Sequence, residues 1–168
     1  IFPDPKLLYL LLNAQGGHPG NSLVQAAIRR WTAPFDAVVS IKGTLNHPVQ
    51  QGNGVRGRIV SSREGVLAEW TVHYKQEATE LTSLKVKKGD TLDFVVDYNG
   101  EHSFDAFTWS PVITEAKQGA VNAANRSPQT WNAVSDFRAP ELQQKVADTI
   151  WSRYVHALLM TNEFTFVD

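Results

Sequence analysis

The chain has no cysteine among its 168 residues. That excludes disulfides, thiolate zinc sites, cysteine nucleophiles and covalent haem attachment through paired cysteines, and it leaves the compartment open. Methionine is nearly absent: Met160 is the only one, so a chain opening at Ile1 is expected to be a fragment of a longer protein. Long apolar runs are missing. The run at 7–12 is far short of the roughly 20 residues a membrane helix needs, and it lacks a signal peptide's basic flank and cleavage site, so no membrane span is expected. An excess of one charge is missing too. Sixteen basic against 17 acidic residues leave a net charge of −1, and nothing in that total favours nucleic acid as a partner.

What the chain does have is 42% hydrophobic content, enough for one domain with a core. Its pattern is clearest over 89–109, GDTLDFVVDYNGEHSFDAFTW. Leu92, Phe94 and Val96 alternate with Thr91, Asp93 and Asp97, which is the period of a half-buried strand. Phe107 and Trp109 alternate in the same way after a polar loop, so the stretch predicts a hairpin introduced by the Gly89-Asp90 turn.

Other segments repeat the signal. Residues 7–12 predict a strand running into the GGHPG cluster at 16–20, and 26–31 a second one ahead of Pro34. Val39, Ile41, Gly43 and Leu45 alternate until His47-Pro48 ends the run. Residues 54–61 put Val55 and Ile59 on one face and Arg56, Arg58 and Val60 on the other. After a turn at 62–65, Ala68, Trp70, Val72 and Tyr74 share a face opposite Glu69, Thr71 and His73. A short strand is expected at 81–86. About eight short strands without intervening helices predict a mainly β fold, an antiparallel jelly-roll β-sandwich over 1–113.

From 114 to 138 the composition turns to Ala, Asn, Gln and Ser, and an irregular connection pinned by Trp131 is expected. Over 139–168, Leu142, Val146, Ile150, Trp151, Val155, Leu158 and Leu159 recur at three- and four-residue spacings after Pro140, predicting an amphipathic C-terminal α-helix and a tail packed on the sandwich.

The motifs GGHPG at 16–20, AIRRWTAP at 27–34, GVRGRIVSSREG at 54–65, GDTLDFVVD at 89–97, DAFTW at 105–109 and the ending ALLMTNEFTFVD at 157–168 together resemble the C-terminal region of planctomycete cytochrome c domain proteins. The resemblance implies an exported protein, periplasmic, cell-envelope or extracellular, whose haem domain lies elsewhere in the parent chain. It also implies a β-sandwich of carbohydrate-binding-module type in this segment. No CxxCH haem motif occurs here.

Three candidate sites follow. The first is a polar strand face: Lys42, Arg56, Arg58, Thr71, His73 and Asp93 all oppose the large apolar residues of their strands. If those strands are neighbours, the guanidinium groups and mixed donors suit an anionic polysaccharide or oligosaccharide. The competing reading is a wet sheet face of charge pairs. The second is aromatic: Trp70 and Trp109 are in phase with apolar neighbours and belong to the core, whereas Trp31 and Trp131 lie near loops where a ring could stack on a sugar. The third is the acidic loop with Asp97, Asn99, Glu101 and Asp105, whose oxygens could hold a structural calcium ion, although a turn-forming polar loop has the same composition. No other cofactor is expected in this segment.

The histidines show no HExxH or clustered ligand spacing, and no nucleophile elbow occurs. The functional expectation is therefore a non-catalytic carbohydrate-binding module. One alternative is a structural domain docking other domains of the parent through the apolar stripe at 150–159. A second is a glycan-active hydrolase or lyase, which requires convergent titratable groups.

Overall fold

A computed structural model describes residues 6, 7, 9–116 and 127–138. The predicted C-terminal helix and tail, with Ile150–Leu159 in it, lie outside the described residues.

Eleven strands occur among the described residues: β1 (Leu11–Leu12), β2 (Gly16–His18), β3 (Ala27–Thr32), β4 (Ala37–His47), β5 (Val55–Ser61), β6 (Gly65–Val72), β7 (Lys75–Val86), β8 (Thr91–Asp97), β9 (Phe107–Trp109), β10 (Val112–Glu115) and β11 (Thr130–Asn132). They form two antiparallel sheets. One runs β3-β8-β5-β6. The other is built on β4, which pairs along one edge with β7 and along the other with β9 and β10; β2 and β1 extend it beyond β9, and β11 beyond β10. The mainly β, antiparallel sandwich expected from the strand pattern is what forms.

Strands β9 and β10 are in effect one strand broken at Ser110-Pro111. Leu45 faces Trp109 and Lys42 faces Val112 in the same register, so Gly43 falls opposite Pro111, which has no N–H to give the ladder. Gly43 fits closely there: a Cβ would sit 3.1 Å from the Pro111 Cα, so a side chain would need its neighbours to give by a few tenths of an ångström.

The inner faces carry Trp31, Ile59, Leu92, Phe94 and Val96 from the first sheet and Val39, Ile41, Leu45, Trp109 and Ile113 from the second, all buried in one core. Trp109 sits at its centre. Its ring meets Phe94 at 5.5 Å and Trp70 at 6.3 Å, both edge-on, and its indole N–H donates to Thr79 Oγ1 at 2.9 Å.

Three sequence expectations are corrected. Strands β8 and β9 do not form a hairpin: β8 pairs with β3 and β5, β9 with β2 and β4, so the loop between them crosses from one sheet to the other. Among the described residues of the early leucine run, only Leu11–Leu12 pair as strand, with both residues exposed. Part of the expected irregular connection is the strand β11, which adds to β10.

Candidate functional site

The outer face of the β3-β8-β5-β6 sheet carries most of the predicted polar set. Arg56 faces Asp97 on β8 and Thr71 on β6; Arg58 faces Val95 and Glu69. Asp97 is fully buried and draws both guanidinium groups onto itself. Arg56 Nε and Nη2 donate at 3.2 and 3.0 Å, Arg58 Nη2 at 2.7 Å, and the Asn99 amide adds a bond at 3.2 Å. Glu69 lies 4.0 Å from Arg56. The Asp97 hydrogen bond, the larger effect, and its negative charge raise the Arg56 pKa above its ordinary value. These arginines therefore anchor strands to one another through Asp97, while Arg58 Nε is buried without a partner.

Lys42 does not join this face. It belongs to β4 in the other sheet, opposite Val112 and Glu80. His73 lies just beyond β6, where its ring packs 5.7 Å from that of His47 and its Nε2 donates to the Gln50 carbonyl at 2.9 Å. Trp31 is 2% exposed and points inward with Ala27 and Arg29, so it is no exposed stacking platform.

Arg29 hid that alternation from the sequence. It is buried within the core face, where its guanidinium is spent on the carbonyls of Trp109 at 2.7 Å, Gly16 at 3.2 Å and Asn13. Desolvation lowers its pKa.

A second locus forms at the free edge of β3, where Arg138 pairs with Arg30 as an isolated antiparallel bridge. The Arg30 amide donates to the Arg138 carbonyl at 2.7 Å and the reverse bond is 2.9 Å. Directly opposed antiparallel residues send their side chains to the same face, and both arginines line one cleft there. Asp93, a predicted site residue, takes Arg30 Nε and Nη2 at 2.7 Å each, the hydrogen bond raising the Arg30 pKa. Among the described residues Arg138 has no ion-pair partner.

These arginines line a cleft of about 600 Å³ with Trp131, Thr32, Thr91 and Asp136, and the edge of Trp31 at its side. Trp131 is half-buried and held by Trp31 at 5.1 Å and Phe35 at 5.9 Å. The Trp31 indole N–H is buried without an acceptor. Asp136 is engaged by the Asn132 amide at 2.7 Å. Of the charged residues lining the cleft, Arg30 is already paired with Asp93, and Arg138 and Asp136 are the other two. Sequence reasoning raised Trp131 and Asp93 but missed Arg30, Arg138 and Asp136, because nothing local in the sequence shows that 138 returns to the edge of β3.

The acidic loop divides. Asp97 is consumed by the arginines. Asp105 is fully buried, and neither carboxylate oxygen has a hydrogen-bond partner. Desolvation first, then the charges of Glu101 and Asp97, push its pKa up to about 7. Asn99 joins Asn53 through reciprocal side-chain bonds to backbone carbonyls, at 2.7 and 3.2 Å. Among the described residues no three His, Cys, Asp or Glu side chains form a group spaced to hold a metal.

No family model, curated protein or solved structure matches the chain.

Proposed function

We propose that this chain is a non-catalytic carbohydrate-binding module that takes an anionic sugar in the cleft at the β3 edge. The observation that carries the reading is the opposed pair Arg30 and Arg138 beside the half-buried Trp131 ring. A carboxylate or sulfate takes the donors of Arg138, which has no ion-pair partner among the described residues, while the apolar face of the sugar ring covers Trp131. Among the described residues lining the cleft Asp136 is the one carboxylate, where glycoside hydrolysis uses two, and this supports binding over turnover. An exported parent protein, as the sequence resemblance implies, would meet such polysaccharides outside the cytoplasm.

Calorimetric titration with polyuronate, sulfated and neutral oligosaccharides tests the reading. Binding of an acidic series that is lost in Arg138→Ala and Trp131→Ala supports it; no binding of any series refutes it.

A second reading, an interaction domain docking other parts of the parent protein, is favoured by the exposed apolar side chains Leu7, Tyr9, Leu11 and Leu12 leading into and along β1, the edge strand. Concentration-dependent self-association that Leu11→Lys abolishes would support that reading.

A further inference from the structure

The loop 48–54 and the loop 98–106 meet at one end of the sandwich, and their junction is tightly specified. Beyond the Asn53 and Asn99 exchange, Gly52 backs onto the second loop with φ of +79°, and a Cβ there would lie 2.4 Å from the Ser103 carbonyl oxygen. His47, itself fully buried, donates from Nε2 to the Phe104 carbonyl at 2.8 Å and accepts the Tyr74 amide at Nδ1 at 3.3 Å.

Within this fixed junction three enclosed oxygen atoms have no partner: Asp105 Oδ1, Asp105 Oδ2 and Asn53 Oδ1. Buried polar atoms are nearly always satisfied, and an enclosed carboxylate must be neutralised. Arg56 and Arg58 are ion-paired with Asp97, while the charges acting on Asp105 from its surroundings, Glu101 and Asp97, are both negative.

We propose that this junction is a site for a hard divalent cation of calcium type, with the Asp105 carboxylate as anchor and Asn53 Oδ1 as a second oxygen ligand. Glu101 adds attraction from the same loop. Carboxylate, amide and backbone carbonyl oxygens are the ligands calcium takes. A site with so few charged ligands belongs with the weak extracellular class, with a dissociation constant of about 10⁻⁴–10⁻³ M. The cation ties the two loops together and holds the β8-to-β9 crossover in place.

The test is calorimetry and thermal unfolding of the EDTA-treated wild-type chain titrated with calcium chloride alone, with magnesium chloride as comparison. Saturable heat is expected, together with a rise in Tm of roughly 3–10 °C at about 10 mM calcium. Asp105→Asn should abolish both responses, and Asn53→Ala should weaken binding about tenfold. Wild-type protein that gives no heat and no rise in Tm at about 10 mM calcium overturns the proposal and leaves the proton as the partner of Asp105. A calcium response that survives in a folded Asp105→Asn variant overturns it too, because the ion would then sit elsewhere.

Discussion

Asp97→Ala is the substitution that tests most sharply whether the Arg56 and Arg58 face is structural. The wild-type carboxylate has no solvent exposure and receives two guanidinium groups and one amide. Removing one partner of a buried ion pair ordinarily costs about 3–5 kcal/mol, because the remaining charge is stranded. Here the arginine side chains keep 29% and 24% exposure, so water recovers part of that loss. The expected cost is about 2–3 kcal/mol, or a fall in Tm of roughly 5–10 °C. Urea unfolding followed by tryptophan fluorescence measures it, with the m-value unchanged if the fold is intact. In a background carrying Arg56→Met and Arg58→Met, the same Asp97→Ala change should cost less than about 1 kcal/mol, since no guanidinium remains to strand. A loss below about 0.5 kcal/mol in the wild-type background would refute the reasoning: the arginines would then be solvated and available to a ligand.

Asp105 governs a pH dependence. Its pKa rises from 3.8 in the unfolded chain to about 7 in the fold, so the folded state holds a proton that the unfolded state releases. The stability from that proton is fully present below the unfolded value and is lost as pH rises through about 7, by up to about 4 kcal/mol. Unfolding in EDTA across this range should show the decline, and Asp105→Asn should flatten it; a wild-type profile no steeper than the variant's would contradict the assignment. Thr79→Val leaves the Trp109 indole N–H buried without an acceptor and should cost about 1–3 kcal/mol, measured by denaturant unfolding. Arg56→Ala should leave acidic-glycan affinity within about twofold of wild type by calorimetry, because its donors face Asp97 rather than the cleft.

The strands were legible where alternation is strict. Val55 to Ser61 and Thr91 to Asp97 read correctly, because one face of each is apolar and the register follows from period two. Pairing partners were not legible: the alternation of β8 and β9 is equally consistent with a hairpin and with a crossover, and only the tertiary fold distributes them between sheets. Trp31 misled because a buried arginine, Arg29, interrupts the apolar face that would have marked it as core; what Arg29 satisfies is backbone carbonyls distant in sequence. The same non-locality hid the cleft. Its defining pair, Arg30 and Arg138, is separated by most of the chain and joined by a single bridge. Asp105 was legible as an acidic loop residue, but its enclosure and its lack of partners were not.

The measurement closest to the central claim is calorimetric titration of wild-type, Arg138→Ala and Arg56→Ala protein with an acidic oligosaccharide at low and high salt. Binding by the wild type is expected to weaken about tenfold or more in Arg138→Ala, to persist in Arg56→Ala, and to fall with salt. Equal affinity in wild type and Arg138→Ala, or loss confined to Arg56→Ala, would contradict the placement of the site at the β3 edge.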